Sequence, residues 1–291
     1  MQKKILVTGA NGQLGMELQQ LAPAYPGFQF IFTTRNELPL DDPDAIIASI
    51  AFHQPHYVIN CGAYTAVDKA ESEKELAYKI NAEGPGVLAA SCAAAGIPLI
   101  HISTDYVFNG KAVKPIREDD PTEPVNLYGA SKLEGEKNVL REHPSAIIIR
   151  TAWVYSSFGK NFVKTMLRLM SEKEEIGVVN DQYGTPTYAA DLADAILKII
   201  VSLDTKKAGQ PGIYHYSNEG QISWYDFAVA IAAISNSKCR VKPITTAQFP
   251  TPAKRPAYSV LDKSKIKQVF GIEPPDWRTS LGKCIRKIQS E

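Results

Sequence analysis

Cysteine is scarce in this chain, and its placement excludes more than its number does. The four present, Cys61, Cys92, Cys239 and Cys284, are far apart and form no CxxC pair or Cys/His cluster at metal-ligand spacing. The sequence therefore predicts no metal site and no disulfide framework, and a reduced compartment is the simplest expectation. Charge of one sign is also missing. With 32 Lys plus Arg against 31 Asp plus Glu, the formal net charge of +1 supplies no global field for nucleic acid or acidic membranes. No apolar run approaches the roughly 18 uninterrupted residues of a membrane span. Met1-Gln2-Lys3-Lys4 leads straight into a strand-like segment, unlike a secretory signal. Internal repeats and low-complexity tracts are absent as well. These absences predict a cytoplasmic chain with no nucleic-acid or membrane partner, and 291 residues allow one large domain or two smaller ones.

In the first half, short β-rich runs alternate with longer segments of helical period, the pattern of a parallel sheet covered by helices. Strands are predicted at Ile5–Thr8, Phe30–Thr33, Tyr57–Asn60, Leu99–Ser103 and Ala146–Arg150, and helices at Gln13–Leu21, Asp44–His53, Glu73–Ala95 and Leu127–Glu142. Ile147-Ile148-Ile149 is continuously apolar, as a strand buried on both faces should be. The fold class expected is α/β, a Rossmann-type doubly wound parallel sheet with a smaller α/β substrate-binding lobe. Residues 1–150 would form the dinucleotide-binding domain and 151–291 mainly the lobe, with later segments free to cross back. Beyond Arg150 the rhythm loosens. An amphipathic segment at Phe162–Met170 precedes the turn-rich Asn180–Gly184, read as interrupting any helix or strand. Helices are predicted at Tyr188–Val201 and Ser223–Ile234, and Pro243–Pro256 reads as an extended connector.

Between the first strand and first helix, Thr8-Gly9-Ala10-Asn11-Gly12-Gln13-Leu14-Gly15 spaces its glycines as GxxGxxG. Glycine leaves no side chain between backbone and a pyrophosphate, and the helix N-terminus beyond offers unpaired N–H donors. This position predicts a dinucleotide site rather than a plain structural turn. At the end of the second strand stands Thr33-Thr34-Arg35-Asn36, where an NAD-selective site would usually present a carboxylate. Arg35 suits a 2′-phosphate, so NADPH is the expected cofactor, with NADH also open to use.

Tyr128-Gly129-Ala130-Ser131-Lys132 places a phenol and an ammonium at i and i+4, on one helix face. A nearby Lys⁺ would pull the tyrosine pKa down from about 10 toward the operating range, making it a usable proton donor. One strand-helix unit earlier, Ser103-Thr104-Asp105-Tyr106-Val107-Phe108 brings hydroxyls to a strand end.

This combination resembles the extended short-chain dehydrogenase/reductase family. Ala63–Glu71, Ser103–Phe108, Arg150–Tyr155, Asn180–Thr187 and Thr251–Pro256 are similar to the motif series of its dTDP-4-dehydrorhamnose reductase branch, spread over almost the whole chain. The resemblance implies NADPH-dependent reduction of the C4 keto group of a dTDP-linked keto sugar, dTDP-4-dehydro-β-L-rhamnose, and leaves a homodimer open. It implies that Gly9, Gly12, Gln13 and Leu14 cradle the pyrophosphate and that Ala63, Tyr64 and Thr65 line the cofactor. Thr104 would polarise the substrate carbonyl and Tyr128 protonate it, while Lys132 would hold the nicotinamide ribose. Asp105 and Trp153 would shape the sugar pocket, the indole face suiting the apolar side of a deoxysugar. Arg255 would meet the substrate diphosphate through its guanidinium fork. The chain departs from the family where an acidic residue often precedes the apolar residue that contacts adenine: here Pro39 precedes Leu40. Two alternatives stay open, another nucleotide-sugar reductase or epimerase, and a non-catalytic NADP-binding regulatory subunit of the methionine adenosyltransferase type.

Overall fold

A computed structural model describes residues 2–205 and 210–290. Its first half gives β1 (Lys3–Thr8), α1 (Gln13–Leu21), β2 (Phe28–Thr33), α2 (Pro43–His53), β3 (Tyr57–Asn60), α3 (Lys74–Tyr78), α4 (Gly84–Ala94), β4 (Leu99–Thr104), α5 (Leu127–Glu142) and β5 (Ile147–Thr151). Five expected strands and most helices stand within a few residues of their predicted bounds. The expected helix over 73–95 is divided by a wide π turn at Lys79–Glu83, just ahead of Pro85. Proline has no N–H to give the regular ladder, and the π turn carries the chain past it.

Successive residues of each strand point to opposite faces of the sheet, and the core divides accordingly. Ile5, Val7, Ile59, Ile100, Ile147 and Ile149 meet α1 on one face. Leu6, Val58, Leu99 and Ile148 meet α2, α4 and α5 on the other. These strands are apolar throughout because both faces are covered.

The second half runs β6 (Val154–Tyr155), α6 (Phe162–Glu172), β7 (Glu175–Val179), β8 (Tyr183–Gly184), β9 (Thr187–Tyr188), α7 (Ala189–Asp204), β10 (Gly212–His215), β11 (Ile222–Ser223), α8 (Trp224–Ile234), β12 (Arg240–Ile244), α9 (Ser264–Phe270) and α10 (Trp277–Ser290). Two of its elements return to the first half. Strand β10 pairs in parallel with β5, giving the sheet order β10-β5-β4-β3-β1-β2, and α7 packs its Leu192, Ile196 and Ile200 on the α1 face. The strand order reverses between β1 and β3, which opens a crevice at their carboxyl ends.

Two readings of the second half are corrected. The proline-rich stretch is not a plain connector: Pro243 sits inside β12, opposite Val178 of β7, and Ala253 is fully buried. Proline is tolerated because the sheet has only two strands and an edge needs no further N–H donor. The turn-rich stretch before Thr185 also carries a short strand, Tyr183–Gly184, antiparallel to Ile222–Ser223. The lobe's own core gathers Met166, Ile176, Phe227, Trp277 and Ile285 from α6, β7, α8 and α10.

Candidate active site at the carboxyl edge of the sheet

A cleft of about 710 Å³ lies over the switch point. Gly9, Gly12, Gln13, Leu14, Arg35, Leu40, Ala63, Tyr64, Thr65, Thr104, Asp105, Tyr128, Lys132 and Trp153 all line it. Arg255, alone among the residues singled out from the sequence, does not.

Why the glycine turn must be glycine is visible at Gly9. Its φ is +67°, and a Cβ there would come within 2.7 Å of the Gly62 nitrogen. The turn beyond β1 is thereby pressed against the turn beyond β3, and α1 starts over the cleft with no side-chain cap on its first N–H groups. Those donors and the helix dipole favour an anion. Residues from the lobe close over the turn: Gln13 accepts from Asn161 Nδ2 at 2.9 Å, and the buried Glu17 accepts from Ser156 Oγ at 2.6 Å.

Arg35 is exposed, and its guanidinium reaches Asp41 at 3.5 Å. Glu37 accepts from the backbone and hydroxyl of Thr34 at 2.8 Å. Carboxylates therefore stand closer to the β2 end than the strand-end sequence alone suggests, although Thr34 and Arg35 engage them.

Helix α5 carries the central pair. Asn126 caps it, accepting from Gly129 N at 2.8 Å and donating to the Lys254 carbonyl at 2.8 Å, which ties the helix start to the lobe. Gly129 permits the close approach that follows, since a Cβ would lie 2.1 Å from the Tyr106 carbonyl oxygen. Tyr128 then sits edge-on to Tyr106, ring centres 5.5 Å apart. Lys132, buried, donates to the Ile102 carbonyl at 2.8 Å. Thr104 donates to Asp105 Oδ1 at 3.0 Å, and Asp105 Oδ2 is buried without a partner among the described residues.

The electrostatics reverse one expectation. Burial pushes the Tyr128 phenol up to about 12, against the opposing effect of the Thr104 hydroxyl, rather than down. Lys132 is buried as well, and burial pushes its ammonium down to about 8, with Glu136 opposing. Burial likewise raises Asp105 to about 6, against the opposing effect of the nearby Ser259 and Thr104 hydroxyls.

Trp153 adopts a left-handed φ of 49° and stacks on Trp224, centroids 3.5 Å apart and planes within 10°. One indole face is thus covered, and the other lobe aromatic was not singled out from the sequence. Arg255 bonds Asp68 at 2.7 Å through Nη2, while its Nη1 is buried without a partner among the described residues.

Sequence reasoning missed two supporting groups. Asn81, in the π turn, accepts from Tyr64 N at 2.8 Å and donates to the Tyr64 carbonyl and to Ser131 Oγ, both at 3.0 Å, fixing the cleft wall to α5. Arg150 and Glu136, each nearly inaccessible, form an ion pair at 2.7 Å, and Ser103 also donates to Glu136. An arginine directly after three isoleucines of a fully buried strand is itself a signal, because a buried guanidinium demands a partner. No cluster of three or more His, Cys, Asp or Glu suited to a metal occurs among the described residues.

A glycine turn facing a hydroxyl, a phenol and a buried lysine across a switch-point cleft defines a class, the dinucleotide-dependent oxidoreductases on a Rossmann-type sheet. The family model described as the RmlD substrate binding domain matches residues 3–290, and the chain belongs to that family. A dTDP-4-dehydrorhamnose reductase of Burkholderia thailandensis is 44% identical, over 99% of this chain and all of the relative. A solved structure of a dTDP-4-dehydrorhamnose reductase from Clostridium acetobutylicum is 45% identical with a TM-score of 0.92, covering 98% of this chain and 99% of that one. One from Bacillus anthracis, in complex with NADP, is 39% identical with a TM-score of 0.93, over 99% of this chain and all of that chain.

Proposed function

We propose that this chain reduces the C4 keto group of dTDP-4-dehydro-β-L-rhamnose to give dTDP-β-L-rhamnose, with NADPH as reductant and NADH as a weaker substitute. The carrying observation is that Thr104, Tyr128 and Lys132 line the same cleft as the glycine turn. The side-chain-free cradle at Gly9, under the uncapped start of α1, fits a pyrophosphate. When bound, the nicotinamide supplies a hydride to the carbonyl carbon. Gly12, Gln13 and Leu14 would hold the pyrophosphate, Ala63, Tyr64 and Thr65 the cofactor's flank, Leu40 the adenine and Arg35 the 2′-phosphate.

Tyr128 would hand its proton to the carbonyl oxygen. Because burial holds that phenol up at about 12, it keeps its proton throughout the neutral range, as a donor must. Thr104 would turn its hydroxyl from Asp105 toward the same oxygen. Lys132 would hold the nicotinamide ribose. Asp105 and Trp153 would shape the sugar pocket, and Arg255, which Asp68 holds outside the cleft lining, would turn its guanidinium to the diphosphate. Residues 1–150 serve the cofactor and 151–291 mainly the substrate in this reading, with α7 and β10 crossing back. A cytoplasmic location and a homodimer complete it; among the described residues no helix is long and apolar enough to cross a membrane.

NADPH oxidation measured against a panel of nucleotide-linked 4-keto sugars tests the proposal. The dTDP-4-dehydro-β-L-rhamnose should give the highest kcat/KM, and the free sugar a poor one, since remote binding energy orients the reacting carbon. Turnover of a different sugar at higher kcat/KM, or none with any, would refute it.

A further inference from the structure

Between the glycine turn and Lys132 runs a buried row of polar side chains that the proposed chemistry leaves unused. Thr8, Asn60 and His101 stand side by side on β1, β3 and β4, Thr8 in register with Asn60 and Asn60 with His101. None of the three is more than 1% exposed. Gly62 N–H donates to Thr8 Oγ1 at 3.1 Å, and the Thr8 hydroxyl donates to Asn60 Oδ1 at 2.6 Å. The Asn60 amide nitrogen lies 3.0 Å from His101 Nδ1. On the far side of the ring, His101 Nε2 lies 3.5 Å from Lys132 Nζ.

Counting donors and acceptors gives this row a direction. The Thr8 oxygen already accepts from Gly62, and its one proton goes to Asn60 Oδ1. That turns the amide NH₂ of Asn60 toward His101, so Nδ1 of the ring must accept. Burial and the nearby Lys132 charge keep the ring neutral. A neutral imidazole that accepts at Nδ1 carries its proton on Nε2, the nitrogen facing Lys132.

We propose that His101 is a positioning residue, locked as its Nε2–H tautomer by the Thr8–Asn60 row, and that it biases Lys132 toward the neutral amine by offering a donor instead of an acceptor. This rests on reading Lys132 as the lysine of the cofactor site. An ammonium gains nothing from an opposing N–H, whereas a neutral amine accepts from it. The remaining charges around the lysine are accounted for. Glu136, one turn along α5, favours the ammonium but is tied to Arg150 of β5. Asp105, following β4, acts on Tyr128. His101 is the only titratable side chain on β4 itself.

Two NMR measurements test this without turnover. The ¹⁵N shifts of the His101 ring report which nitrogen carries the proton. A pH titration of protein labelled with [ε-¹³C]lysine reports Lys132, its resonance assigned by loss in Lys132→Met. Thr8→Val deletes the hydroxyl proton with little change of shape, freeing Asn60 to turn its oxygen to His101; Thr8→Ser keeps the proton. The parent and Thr8→Ser should show Nε2–H. Thr8→Val should show Nδ1–H, with the Lys132 midpoint raised by about one pH unit as Nε2 becomes an acceptor. Nδ1–H in the parent, or an unmoved Lys132 midpoint in folded Thr8→Val, overturns the proposal. The parent spectrum decides the tautomer even if Thr8→Val does not fold. Full activity in Lys132→Met would instead sink the reading of Lys132 while leaving the tautomer measurement intact.

Discussion

Asp105 converts the burial of this site into a measurable stability. Its carboxyl lies at the end of β4, 2% exposed, with one oxygen accepting from Thr104 and the other unpartnered. Burial raises its folded pKa from 3.8 to about 6. The folded protein therefore binds more protons at this carboxyl than the unfolded chain does between about pH 4 and pH 6. Stability contributed here is fully present below pH 4 and is lost as pH rises through 6. A displacement of about two pH units, at 1.36 kcal/mol each, makes the loss roughly 3 kcal/mol. Asp105→Asn is uncharged at every pH and should escape it. Lost or altered hydrogen bonds in the variant add an offset, but that offset does not depend on pH. Urea unfolding of both proteins from pH 4 to pH 8 isolates the effect, because every other titrating group cancels in the difference. The variant should gain roughly 3 kcal/mol on the parent across that range, most of it between pH 4 and pH 6. A difference that stays flat with pH would refute the account of Asp105 as a carboxylate penalised by burial.

Tyr128→Phe should lower kcat by about 10²–10⁴-fold while NADPH binding, followed by fluorescence, changes far less; a folded variant within a few-fold of the parent would show that the proton comes from elsewhere. Arg35→Ala should raise the KM for NADPH much more than that for NADH, and equal rises would mean that Arg35 does not read the 2′-phosphate. Because Asp41 holds the same guanidinium, Asp41→Asn should lower the KM for NADPH, a change steady-state kinetics resolves. Gly184→Ala would set a Cβ 2.6 Å from the Trp153 indole. Overpacking of this kind costs about 1–3 kcal/mol, here expected as a raised KM for the keto sugar with NADPH affinity unchanged.

The sheet was legible because its strands are buried on both faces and read as short apolar runs separated by helix-length segments. Helix α5 was found at its observed bounds, with Asn126 supplying the cap just ahead of Leu127. The cleft residues were legible through spacing and family resemblance. What escaped was whatever depends on distant partners. Gly212–His215 opens on glycine and lacks a continuous apolar run, and becomes a strand because Ile147–Arg150 offers it a ladder. Pro243 argues against a strand until β7 is there to pair with it. The pKa of Tyr128 was misjudged because i, i+4 spacing gives proximity along a helix but not the burial of both groups. His101 gave no sign of its neighbours, which come together only through the register of three parallel strands.

The return of the chain through α7 and β10 governs how this protein can be born. A nascent chain that has emerged only through Thr151 carries β5 as an open edge, Ile147-Ile148-Ile149 among its residues, and leaves uncovered the face on which Leu192, Ile196 and Ile200 will pack. Unpaired edges and bare apolar faces invite wrong partners. The six-stranded sheet cannot be completed until the chain through His215 has emerged from the ribosome, long after the glycine turn and Tyr128 have been made. Maturation is therefore a late, collective event, and the stretch of synthesis between Thr151 and His215 is when a chaperone would matter most.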